Sequence, residues 1–151
     1  MVKEGDKAPS FILKDADGKL VRLADLKGKK LVLYFYPKDN TPGCTKEACS
    51  FRDDFSKFRG KNIEIFGVSL DDEKSHQRFA EKFGLPFRLL SDADAEVSKR
   101  YGVYKLKNFM GREFWGIVRT TFLIGEDGRI IKIFPQVNVE SHSGEVLKAF
   151  A

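Results

Sequence analysis

The sequence predicts an α/β fold in which a central mixed β-sheet is flanked by helices. Three observations carry that expectation. The continuous apolar run LVLYFY over 31–36 has the form of a strand buried on both faces, and IEIFGVSL over 63–70 reads as a second buried strand. A segment with helical spacing follows each. Two further strand-like runs, 119–124 and 129–134, are then separated only by the turn Gly125-Glu126-Asp127-Gly128. Strand–helix–strand–helix followed by a hairpin requires a sheet of mixed direction with helices on both faces.

The elements follow in order. Phe11 to Leu13 and Leu20 to Leu23 read as an opening hairpin around the turn Asp15-Ala16-Asp17-Gly18. After the run 31–36, a helix starts at Thr41-Pro42. Threonine suits its N-cap, proline its first position, and Lys57, Arg59 and Gly60 its far end. Ala48, Phe51, Phe55 and Phe58 give it an apolar stripe at spacings of three and four. After the run 63–70, Asp72 caps a second helix that carries Phe79, Ala80 and Phe83 and stops at Gly84. A short helix around 93–101 precedes the later hairpin, and a helix from about Ser143 ends the chain. This order is the thioredoxin-like plan with an added N-terminal β-hairpin.

The chain has 151 residues, 42% hydrophobic and 32% charged, as expected of one globular domain spanning 1–151. No linker, repeat or low-complexity tract divides it. No apolar run approaches the roughly 18 residues that a membrane span needs. The start MVKEGDKAPS lacks the apolar stretch of an export signal, so a cytoplasmic location is expected. The net charge of +5 is dispersed along the sequence, which argues against a nucleic-acid partner.

The only two cysteines, Cys44 and Cys49, stand five apart in YPKDNTPGCTKEAC. In a compartment that keeps thiols reduced, such a pair is more often catalytic or metal-binding than structural. With Thr41 as N-cap, Cys44 takes the third helical position, among amide groups without partners at the positive end of the helix dipole. That setting favours thiolate, the nucleophilic form. A buried, inert thiol remains the alternative that the residues leave open. Metal binding is disfavoured, because His76 and His142 lie far apart and no C-x2-C spacing occurs. His76 reads as a surface residue of its helix, and no spacing sets a histidine beside the thiol as a base.

Pro37, Thr41 and Cys44 form P-x-x-x-T-x-x-C, a pattern that resembles the peroxiredoxin signature. The longer stretch FYPKDNTPGCTKEAC is similar to the bacterioferritin-comigratory (PrxQ) subfamily, as are KEGDKAPSF, GVSLDDEKSHQRFAEKFGLPFRLLSD and GIVRTTFLIGEDGRI. The resemblance implies a thiol peroxidase without metal or cofactor. Cys44 would attack a hydroperoxide and become sulfenic acid. Cys49 would resolve it as an intramolecular disulfide, and a thioredoxin-like dithiol protein would reduce that bond. Thr41 and Arg119 would complete the site, with Pro37 shielding it, in a protein expected to be monomeric.

The chemistry suits these residue types. A thiolate can attack one peroxide oxygen while donors stabilise charge on the other. Thr41 lies about one helical turn before Cys44, and Arg119 brings a fixed positive charge. Without the resemblance, Arg119 reads as solvated surface, Thr41 as a helix cap and Pro37 as a strand terminator. The rival reading is a thiol–disulfide oxidoreductase of the same fold. That class uses C-x-x-C at the helix start and a proline before the later strand. Here the spacing is C-x4-C, and Arg119-Thr120-Thr121 precede Phe122.

Overall fold

The structure is a computed structural model that describes residues 2–150; Met1 and Ala151, the ends of the expected domain, lie outside the described residues. In chain order the strands are β1 (Ile12–Asp15), β2 (Leu20–Arg22), β3 (Lys30–Phe35), β4 (Ile63–Ser69), β5 (Arg88–Ser91), β6 (Tyr104–Phe109), β7 (Arg112–Ile117), β8 (Thr120–Ile124) and β9 (Ile130–Phe134). The helices are α1 (Pro42–Asp53), α2 (Phe55–Gly60), α3 (Glu73–Phe83), α4 (Glu96–Arg100) and α5 (His142–Ala149).

Seven strands form one mixed sheet in the order β2-β1-β5-β4-β3-β8-β9, and β6 and β7 form a separate ribbon. β3 pairs parallel to β4 and antiparallel to β8, so it lies in the interior of the sheet. Its residues alternate between two cores. Leu31, Leu33 and Phe35 join the core that holds Phe66, Tyr101 and Phe122. Val32 and Tyr34, with Tyr36 just beyond the strand, face the other core, built on Cys44, Ala48, Phe51 and Phe58. The uninterrupted apolar run is thus a two-sided requirement, with each face covered.

The thioredoxin-like plan is met, with the expected hairpin pairing Leu13 with Val21. One boundary differs from expectation, and two features were not expected. The helix expected to run from Thr41 to Gly60 is two helices, broken at Asp54, whose φ and ψ are −100° and 9°. There the Asp54 carboxylate accepts from Ser143 Oγ on α5 at 2.7 Å, a tertiary bond that the apolar spacing does not register. β5 was not expected, because the four-residue run RLLS is too short to separate from a loop. The β6–β7 ribbon was missed as well: most of its side chains are exposed on both faces, so no buried alternation marks it.

Gly67 shows how closely the second core is packed. A Cβ at this position in β4 would lie 2.8 Å from Tyr34 Cζ and 2.9 Å from Leu89 Cδ2. Glycine therefore makes room for the Tyr34 ring, which stacks on Phe51 at 4.9 Å.

Candidate active site

The loop after β3 delivers Pro37, and α1 begins at Pro42 with Thr41 as its N-cap. Thr41 has the extended backbone of a cap, yet its hydroxyl makes no capping bond. It donates instead to Lys38 O at 2.9 Å, which leaves its lone pairs free to accept. Pro37, in the loop before this cap, is half-buried. Cys44 follows in the first turn and is buried, whereas Cys49, also on α1, is half-buried; both thiols are free. One regular helix therefore carries the two cysteines.

Arg119, immediately before β8, reaches this turn from 75 residues away. Its Nη2 donates to Cys44 Sγ at 3.3 Å, and its Nη1 donates to Glu47 Oε1 at 2.6 Å. A Cβ on Gly43 would stand 3.2 Å from Nη2, so glycine in the Pro-Gly-Cys step lets the guanidinium approach closely. Burial works against the charge of Arg119, but Glu47 and Cys44 together outweigh it and hold its pKa above the ordinary value.

Glu47 is fully buried one turn beyond Cys44. Burial pushes its pKa from 4.5 up to about 7, against the opposing pull of Arg119. Among the described residues its Oε2 has no hydrogen-bond partner, and neither has the Tyr34 hydroxyl. Lys107 on β6 adds a second cation near the site. Burial and the charge of Arg119 lower its pKa while Cys44 raises it, and its Nζ donates to Ile117 O at 2.7 Å.

Residues 4–133 match the AhpC/TSA family. A putative peroxiredoxin bcp of Coxiella burnetii is 51% identical over 146 residues, covering 97% of each chain. The chain belongs to the AhpC/TSA family, as a peroxiredoxin of the Bcp (PrxQ) kind. A PrxQ structure from Xylella fastidiosa superposes with a TM-score of 0.94 at 38% identity, covering 99% of this chain and 96% of that one. The bacterioferritin comigratory protein of Xanthomonas campestris, described for its alkyl peroxide reduction activity, gives 0.87 at 38% identity over 92% and 88%.

In this peroxiredoxin, Arg119 meets Cys44 in the first turn of α1, Thr41 stands at the N-cap of that helix and Pro37 in the loop before it, and Cys49 lies about one and a half turns beyond Cys44. Sequence reasoning missed Glu47. As a charged residue in a polar stretch it resembled helix surface, although its position three after Cys44 and one before the core residue Ala48 was a usable signal. His76 requires a correction. It is fully buried rather than on the helix surface, because it shares the inner face of α3 with Phe79, three residues on. His142 is also buried. Its Nε2 lies 2.7 Å from Thr121 Oγ1, and burial, aided by Arg119, lowers its pKa to about 4, so it is neutral at pH 7. Among the described residues no group of three or more His, Cys, Asp or Glu side chains is placed to hold a metal ion.

Proposed function

We propose that this peroxiredoxin reduces hydrogen peroxide and organic hydroperoxides with Cys44 as the attacking thiol and Cys49 as the resolving one. One observation carries the assignment: the Arg119 guanidinium lies 3.3 Å from Cys44 Sγ, in the first turn of α1. A positive charge there awaits the charge that develops on the peroxide.

The thiolate attacks the terminal oxygen of the hydroperoxide. An S–O bond forms, the O–O bond breaks, and its electron pair leaves on the alkoxide, or on hydroxide when the substrate is hydrogen peroxide, which takes up a proton as the alcohol or water. Cys44 is thereby oxidised to sulfenic acid and the peroxide is reduced. Arg119 Nη2 and the N–H groups of Gly43 and Cys44, which have no partners within the helix, are donors for that charge. Thr41 contributes its hydroxyl and Pro37 restricts water. Cys49 sulfur then attacks Cys44 sulfur and displaces the hydroxyl as water. A thioredoxin-like dithiol protein reduces the disulfide by exchange. One domain, acting as a cytoplasmic monomer, suffices for this cycle. No helix among the described residues is long and apolar enough to cross a membrane.

Rapid mixing of reduced protein with one equivalent of hydrogen peroxide tests the reading, followed by thiol titration and Trp115 fluorescence. The expected result is fast loss of both thiols in each chain. Cys44→Ser abolishes the reaction, whereas Cys49→Ser reacts once and leaves a trappable sulfenic acid. An inert Cys49→Ser protein beside an active Cys44→Ser protein would reverse the two roles.

A further inference from the structure

The polar cluster behind the loop 37–41 has no part in the chemistry above. Asp39 lies in that loop, between the strand end and the N-cap of α1, and only 8% of its surface is exposed. Its Oδ1 accepts from the Tyr36 hydroxyl at 2.5 Å. Its Oδ2 accepts from Ser75 Oγ at 2.8 Å and lies 2.7 Å from His76 Nδ1. The backbone N–H of Asp39 donates to Asp71 Oδ2 at 2.8 Å, and Ser69 Oγ donates to the same oxygen at 2.7 Å. One loop residue is thus tied to the residue that follows β3, to the β4–α3 connection and to α3.

The second nitrogen of the fully buried His76, Nε2, lies 3.0 Å from Leu90 O on β5. A carbonyl oxygen only accepts, and so does an ionised carboxylate. Either neutral tautomer facing an ionised Asp39 would set a nitrogen lone pair against an acceptor lone pair. A proton on each ring nitrogen satisfies both contacts, and the resulting cation faces the carboxylate in a water-poor site. Burial, with Tyr34 and Asp39, pushes the pKa of the Tyr36 phenol well above its ordinary value, so it remains a donor to Asp39.

We propose that Asp39 and His76 are positioning residues for the peroxide step: a buried carboxylate–imidazolium pair that fixes the loop 37–41 against α3 and so aims Pro37, Thr41 and the first turn of α1 at the substrate. The inference rests on the assignment of Cys44 as the attacking thiol. Neither residue touches the sulfur. Their effect passes through the loop, and displacements on the order of 1 Å at a reacting centre cost about 100-fold in rate.

Two measurements test it, one of which does not depend on peroxidase activity. In the reduced wild-type protein, the ¹⁵N shifts of His76 should show a proton on each ring nitrogen. One unprotonated nitrogen would overturn the pair whatever the chemistry of Cys44. The second measurement uses a Cys49→Ser background to compare two reactions of Cys44, with hydrogen peroxide and with iodoacetamide. Alkylation needs the thiolate but not the aligned donors. Asp39→Asn and His76→Gln should slow the peroxide reaction by about tenfold or more while changing alkylation by less than about twofold. Tyr36→Phe removes a single donor to Asp39 and should act in the same direction with a smaller effect, which keeps the test available if the other variants do not fold. Equal losses in the two reactions, or an unchanged peroxide rate in a folded variant, would overturn the positioning role.

Discussion

Arg119 Nη2 donates to Cys44 Sγ, and the same guanidinium holds the buried Glu47, so one cation serves two acidic groups. Arg119→Ala should slow peroxide attack by about 100-fold, since losing a donor to developing charge costs about 3 kcal/mol. Lysine should restore only part of the rate, because it lacks the planar fork that spans both partners. Stopped-flow kinetics decides; an unchanged rate would make Arg119 a structural ion-pair residue only. Glu47 yields a pH signature. Its raised folded-state pKa means that the folded protein keeps a proton that the unfolded chain has already released. Its contribution to stability is therefore fully present below about pH 4.5 and fades as pH rises through about 7. Denaturant unfolding of the wild type and of Glu47→Gln across this window should show their stability difference shifting toward the glutamine variant with rising pH. A difference independent of pH would contradict the protonation assigned to Glu47. At this scale the sequence disclosed what is local. Thr41 and Cys44 are legible because cap, proline and thiol are contiguous. The burial of Glu47 depends on an arginine 72 residues away, and that of His76 on an aspartate 37 residues before it.

Among the elements, β3 and β4 were legible because each is a short, largely apolar run buried on both faces, and α1 because its cap, its proline and the apolar residues Ala48 and Phe51 coincide. The β6–β7 ribbon was not, since Phe109, Met110 and Trp115 are exposed on it and its pattern has no inner face. Its sharp turn at Met110 and Gly111, with φ of 54° and 79°, was the one local signal available. The packing between β4 and β3 supplies a test of the second core. Gly67→Ala would drive a methyl group to 2.8 Å from the Tyr34 ring, whose neighbours Phe51 and Leu89 are themselves buried. Overpacking of this kind costs about 1–3 kcal/mol. A lowered denaturant midpoint with an unchanged slope is expected, whereas an unchanged midpoint would show that Tyr34 can move aside freely. For α1 the geometry is stricter. Residues five apart on a regular helix are separated by about 8–9 Å between Cα atoms, and a disulfide needs less than about 7 Å. Cys44 and Cys49 cannot join while α1 remains intact through both.

Across the whole molecule, the two cores and the seven-stranded sheet form a frame that the proposed resolution of Cys44 by Cys49 should leave in place, with the change expected at one helix end. Hydrogen bonds bound that end on both sides. Asp39 anchors the chain before α1, and Ser50 Oγ donates to Ser143 Oγ, which in turn donates to Asp54, just beyond Cys49. Helix ends are among the least stable parts of a fold, so unwinding the stretch between these anchors costs far less than global opening. Amide hydrogen exchange compared between the reduced and disulfide forms, over the whole chain, tests this most directly. The expected result is faster exchange in the disulfide form across residues 42–50, with β3, β4 and β8 equally protected in both forms. Equal protection of 44–50 in the two forms would contradict resolution of Cys44 by Cys49 through unwinding of α1.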